Sequence, residues 1–142
     1  MNDLFLNFTS DCEERQKIIV SKDAGHQRKH IANNADLNRV SHYKIDGVVI
    51  TEGPRCDFLL INEDKLSAYL IEIKGSDINK AVEQLAKTEE VLKDPLSAYK
   101  LNFRIIASKI RTHAIESVTF KRFKEKKKDA FKWKIEQMEE DI

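Results

Sequence analysis

Asp57-Phe58-Leu59-Leu60-Ile61, a polar break from Asn62 to Ser67, and the return Ala68-Tyr69-Leu70-Ile71-Glu72-Ile73-Lys74 decide how this chain is read. Two apolar runs of strand length, separated by a short polar segment, predict adjacent strands joined by a turn. Side chains alternate across a strand, so Glu72 and Lys74 are expected on one face while Ile71 and Ile73 take the other. An acid opens the first strand, and an acid and a lysine close the second. Charges beside strand interiors are costly unless they are paired or bind an ion. Two carboxylates can hold Mg²⁺ or Mn²⁺, and a neighbouring lysine can orient a water and stabilise charge building on a phosphoryl group. The backbone carbonyl of Ile73 can serve the same metal.

The Glu-x-Lys triplet alone carries little weight, because Glu63-Asp64-Lys65 and Glu125-Lys126-Lys127 repeat it. The first decoy falls in the predicted turn and the second in a charge run. Only Glu72-Ile73-Lys74 closes an apolar strand whose neighbour begins with a second carboxylate.

Upstream, Ser10 or Asp11 is expected to cap a short helix reaching Val20, with Glu13 and Glu14 in its first turn. Ser21 to Asn38 is polar, contains Gly25, and reads as a loop or a partly helical segment. Tyr43 to Ile50 reads as a strand bent at Asp46-Gly47, followed by a turn at Thr51-Glu52-Gly53-Pro54. Downstream, Gly75-Ser76-Asp77 punctuates the chain, and Ile78, Val82, Leu85 and Leu92 build the apolar stripe of a helix ending near Lys93. Phe103-Arg104-Ile105-Ile106-Ala107 predicts a strand within 102–110, reached by a crossover and therefore parallel to the one before it. A helix from about His113 into the lysine run comes next. Phe131, Trp133 and Ile135 alternate with Lys132, Lys134 and Glu136 as a final half-buried strand. The fold class is α/β: a mixed sheet flanked by helices, with an α-β-β-β-α-β core plus a C-terminal helix and strand.

At Arg55-Cys56-Asp57 and Ile71-Glu72-Ile73-Lys74-Gly75, with fourteen residues between the two acids, the chain resembles the PD-(D/E)XK nuclease superfamily. These are metal-dependent phosphodiesterases that include restriction endonucleases and Holliday-junction resolvases. The resemblance spans Tyr43 to Leu92 directly and implies a restriction-endonuclease-like core. It implies that Asp57 and Glu72 are ligands of Mg²⁺ or Mn²⁺ and that Lys74 is the catalytic lysine. Many members carry a glutamine on the following helix, which Gln84 matches; the tyrosine one turn later is replaced by Thr88. A glutamate on the first helix is also frequent, and Glu13 and Glu14 are its candidates. Pro54 precedes Asp57 by three residues rather than adjoining it.

The bulk properties agree with one domain, residues 1–142, long enough to bury a core. A net charge of +1 with 35% charged residues does not by itself announce a polyanionic partner. Cys12 and Cys56 lack the spacing of a zinc site or disulfide framework, and Met1-Asn2-Asp3-Leu4 does not begin a signal peptide. No apolar run approaches the roughly 20 residues of a membrane span. The expectation is therefore a cytoplasmic protein with no membrane partner.

Bland readings accompany the sharp ones. Asp57, Glu72 and Lys74 could form a salt-bridge cluster at a strand end. Gln84 could be a polar residue flanking an amphipathic helix, and Glu13 a partner of Lys17. His26 and His30 are spaced like two ligands on a helix, yet no third accompanies them, so zinc is not expected. Arg39, His42 and Lys44 suit phosphate contacts and a solvated strand edge equally. Lys121 to Lys134 holds eight basic residues against Glu125 and Asp129, a pattern shared by solvated faces and nucleic-acid surfaces. Phe131 and Trp133 read as core.

The sequence thus points to a divalent-metal-dependent nuclease acting on nucleic acid, DNA ahead of RNA, with a homodimer or partner subunit supplying further surface. The alternative is a non-catalytic, nuclease-like accessory subunit that binds nucleic acid or a protein partner. A nucleotide or small phosphodiester as substrate is a third reading.

Overall fold

The computed structural model describes residues 8–23, 27–46, 49–50, 52–53, 55–73 and 76–142, together with the backbone of Lys74. Gly25, His26, Gly47, Thr51, Pro54 and Gly75, each part of an expectation above, lie outside the described residues.

Phe58–Asn62 (β4) and Ser67–Lys74 (β5) form the expected antiparallel hairpin, with Phe58 opposite Ile71 and Asn62 opposite Ser67. The Asn62 side chain accepts the Lys65 N–H at 3.1 Å, and Leu66 takes a left-handed φ of 51° to bring the chain back. Val40–Lys44 (β3) pairs antiparallel with β4. The helix Ile78–Val91 (α1) then carries the chain over the sheet to Lys100–Ala107 (β6), which lies parallel to β5. Asp77 caps α1 by accepting the Lys80 N–H. Phe131–Ile135 (β7) adds in parallel to β6, completing the order β3-β4-β5-β6-β7.

A second mixed sheet was not anticipated. Ile18–Lys22 (β1) pairs antiparallel with Lys29–Asn33 (β2), and Gln137–Asp141 (β8) joins β2 in parallel. This overturns the helix expected to reach Val20. Ile18, Ile19 and Val20 are β-branched and alternate exposed and buried with period two, which suits a strand. It also overturns the loop reading of 21–38, where His30 and Ala32 face inward from β2. The single helix expected from His113 is two, Thr112–Ile115 (α2) and Val118–Lys127 (α3), because Ser117 interrupts it and caps α3 by accepting the Phe120 N–H. A 3₁₀ turn, Lys128–Ala130, leads into β7.

The sheets stack face to face, and the helices cover the other side of the larger one. Leu59, Ile61, Leu70, Phe103 and Ile105 pack against Ile78, Val82 and Leu85 of α1 and against Phe120 and Phe123 of α3. Leu60, Ile71, Ile73 and Ile106 on the opposite face meet Ile19, Ala32 and Met138. The expected flanking of the sheet by helices therefore holds on one side only. Glu136, at φ 65°, is the single residue between β7 and β8 and turns the chain from one sheet into the other. Its N–H reaches Ala107 in the large sheet and its carbonyl accepts from Lys29 in the small one. Among the described residues no helix is long and apolar enough to cross a membrane.

Candidate active site

Asp57 stands one residue before β4, where the hairpin ladder slips. One step beyond the Phe58–Ile71 pair, regular register would set Asp57 opposite Glu72. Instead the Asp57 N–H bonds the Ile71 carbonyl at 3.1 Å, and Asp57 Oδ2 accepts the Ile73 N–H at 2.8 Å. On the other flank the Asp57 carbonyl accepts the Ile45 N–H at 2.8 Å. The acid is thus tied to both neighbouring strands, with one carboxylate oxygen committed to the backbone. Alternation from Ala68 and Leu70 puts Glu72 on the helix-covered face.

Glu72 is 1% exposed. Both carboxylates act on the buried Cys56 thiol: burial pushes its pKa far up, and the negative charges of Glu72 and Asp57 add to the rise. Asp57 is fastened to the strand that carries Glu72, at the next residue, Ile73. Lys74 ends β5 with its backbone paired to Ala107; its side chain lies outside the described part. The N–H of Ile73 is taken by Asp57, which orients the Glu72–Ile73 peptide.

The helix holds this strand entry in place. Thr88 Oγ1 accepts the Cys56 N–H at 2.7 Å and donates to the Gln84 carbonyl at 2.8 Å. Gln84 Nε2 donates to the Arg55 carbonyl at 3.1 Å, while Gln84 Oε1 is buried with no hydrogen-bond donor among the described residues. Gln84 and Thr88, one turn apart, therefore clamp the two residues before Asp57. A cleft of about 340 Å³ opens here, lined by Asp46, Gly53, Arg55, Lys80, Glu83 and Gln84. The Arg55 guanidinium binds Asp46 at 2.8 Å and the Gly53 carbonyl at 2.6 Å.

Glu13 and Glu14 do not join this group. They are exposed in a turn, and the Glu14 carbonyl accepts the Val40 N–H, at the end of β3 opposite to Ile45 and Asp57. Five residues of strand separate the two ends, roughly 17 Å at ~3.3 Å per residue.

A second constellation was not legible beforehand. His42, which suits a phosphate contact and a solvated strand edge equally by sequence, is 3% exposed; its Nδ1 lies 2.6 Å from Asp11 Oδ1 and its Nε2 2.7 Å from Ser21 Oγ. An ionised carboxylate only accepts, so Nδ1–H donates to Asp11 and the Ser21 hydroxyl donates to Nε2. Burial lowers the pKa of His42 against the opposing pull of Asp11 and favours this neutral ring. The wiring is that of a nucleophile, a base and an orienting acid. Yet Ser21 is 1% exposed and sealed between the sheets, so no substrate reaches its oxygen. Nearby, Arg104 makes a two-pronged contact with Glu140 at 2.7 and 2.9 Å, and His30 Nε2 lies 2.7 Å from the same carboxylate. His30 thus lies on a strand, hydrogen-bonded to Glu140, and not on a helix.

Comparison with protein-family models, with curated proteins and with solved structures returns no match.

The donor chemistry at Asp57 and Glu72 fits a hard divalent cation. Mg²⁺ is commonly held by one or two protein carboxylates, with water and substrate phosphate completing its shell. Among the described residues no three His, Cys, Asp or Glu side chains converge on one point. The orphaned Gln84 Oε1 beside the cleft adds an acceptor for a water or ligand there.

Proposed function

We propose that this chain is a divalent-metal-dependent nuclease with a restriction-endonuclease-like core, hydrolysing phosphodiester bonds in DNA ahead of RNA. The observation that carries the reading is the bond from the Ile73 N–H to Asp57 Oδ2 at 2.8 Å, which fastens Asp57 to the strand bearing Glu72 and Lys74.

In this reading Asp57 and Glu72 hold Mg²⁺ or Mn²⁺, with the Ile73 carbonyl as a further ligand. When bound, the cation supplies Lewis-acid polarisation of the phosphate. Lys74 orients the attacking water and stabilises charge on the phosphoryl oxygens. Asp57 is fixed by the Ile73 N–H, which holds its carboxylate in place against β5. Gln84 positions the strand entry through the Arg55 carbonyl and offers its own oxygen to the cleft. Purified protein should cut DNA only with a divalent cation, and Asp57→Asn, Glu72→Gln and Lys74→Ala should each abolish cutting. Cleavage surviving all three substitutions would overturn the assignment.

A rival reading, a non-catalytic accessory subunit, draws on two observations: the near-complete burial of Glu72 and the distance of Glu13 and Glu14 from Asp57. Calorimetric titration with Mn²⁺ separates the two. Binding lost in Asp57→Asn favours the nuclease, and no binding to the unmodified chain favours the rival.

A further inference from the structure

We infer that the exposed arc of α3 is a phosphate-backbone track, the surface by which the chain holds duplex DNA; this rests on the nuclease reading for its partner but not for its chemistry. From Lys121 to Lys134 eight basic residues stand against Glu125 and Asp129, leaving +6 within a chain whose total is +1. The fold sorts these charges. Phe120 and Phe123 turn inward, and Lys127 is spent on Glu89 at 2.7 Å and lies over the Phe103 ring. Lys121, Arg122, Lys124 and Lys126 remain exposed, and none of the four has a carboxylate within 4.0 Å among the described residues.

The helix begins near the candidate site. Ser117, the cap of α3, donates to Asn79 Oδ1 at 2.7 Å, in the first turn of α1, so α3 begins beside the helix start that follows Lys74. Trp133 is level with Glu72 through Ile105 in the parallel ladder, two strands away, or about 10 Å. Lys124 lies 5.6 Å over the Trp133 ring, which Phe120 supports edge-on. Lys121 to Lys126 cover about 7.5 Å of helix axis, a length over which duplex DNA carries about four phosphates on its two strands. Lys132 and Lys134 contribute less, because Glu139 lines the same groove.

Binding of a fluorescent 20-base-pair duplex is measured by anisotropy in EDTA, so that cleavage plays no part. Four phosphate contacts predict that log K falls with log salt at a slope of about −3 to −4. Lys121→Gln/Arg122→Gln/Lys124→Gln/Lys126→Gln, checked for an unchanged melting temperature, should bind at least about 10-fold more weakly with most of that slope gone. Lys132→Gln/Lys134→Gln should lose about 3-fold or less. If the quadruple variant destabilises the fold, Lys121→Gln/Lys124→Gln replaces it, with about half the loss in slope. Unchanged affinity and slope in a folded variant, or no duplex binding by the unmodified chain at 50 mM salt, overturns the proposal. So does tighter binding to anionic phosphatidylserine vesicles than to DNA. Binding that depends on α3 in a protein that never cuts DNA upholds the track and removes only the catalytic reading.

Discussion

The two faces of the five-stranded sheet hold their polar groups differently. Beneath the helices, Asp57 accepts the Ile73 N–H across the hairpin, and the charges of Glu72 and Asp57 help raise the pKa of the buried Cys56 thiol. Beneath the second sheet, Arg104 pairs with Glu140, which also bonds His30, and Tyr69 lies under the guanidinium at 5.3 Å. The second arrangement fastens β6 to β8 and β2. His42 belongs with the second, since its partners Asp11 and Ser21 tie β1 to β3 under cover. Good hydrogen-bond geometry therefore does not single out a reactive site.

That contrast breaks most sharply with Asp57→Asn or Glu72→Gln. Divalent-dependent DNA cleavage should fall on the order of 10³-fold or more, about 4 kcal/mol in barrier, while the melting temperature holds or rises. A large loss of stability with cleavage per folded molecule intact would make this pair structural, like its counterpart across the sheet.

Glu140→Ala should do the reverse. It leaves the Arg104 guanidinium buried and unmatched, at a cost of about 3–5 kcal/mol in urea unfolding, with cleavage per folded molecule unchanged. Adding Arg104→Met should recover most of the loss. The pH dependence has the same origin. Burial opposes ionisation of Glu140, but hydrogen bonds from His30 and Arg104 and the Arg104 charge outweigh it and hold the carboxyl down to about 2, against an ordinary 4.5. A depressed carboxyl stabilises fully above its unfolded value, so stability should decline as pH falls from about 4.5 toward 2. His42 adds an earlier step: its folded pKa is lowered from 6.5, so the stability of its neutral form begins to drain below that pH. Flat stability across both ranges would dissolve the distinction between the faces.

Smaller effects sharpen the picture. Thr88→Val strands the buried Cys56 N–H and should cost about 1–3 kcal/mol, whereas Gln84→Ala should cost about 1 kcal/mol and slow cleavage more than it lowers stability. Ser21→Ala should cost about 1 kcal/mol. It should leave p-nitrophenyl ester hydrolysis at background, as in the unmodified chain; any Ser21-dependent hydrolysis would mean that the sheets open.

Legibility followed contact distance along the chain. The β4–β5 hairpin, α1, β6 and β7 could be read because their periodicities are local and their turn and cap residues, Asn62 and Asp77, act within a few positions. The N-terminal strand was misread because Ser10, Asp11, Glu13 and Glu14 imitate a helix start, while the partner of Ile19 is Ala32. β2 and β8 were missed because each is polar by itself. Lys29 pairs with Gln137, and His30 becomes a core residue only once Glu140 stands beside it. At the candidate site the residue types were legible; the ladder slip, the Thr88–Gln84 clamp and the Ser21–His42–Asp11 relay were not.

Sequence alone determined the hairpin, its terminal acids and the helix bearing Gln84, because alternation and helical period are written in consecutive residues. Tertiary structure decided that a second sheet, not a helix, covers the other face. It also decided which polar groups pair, because segments as far apart as His30 and Glu140 meet only when they are buried together.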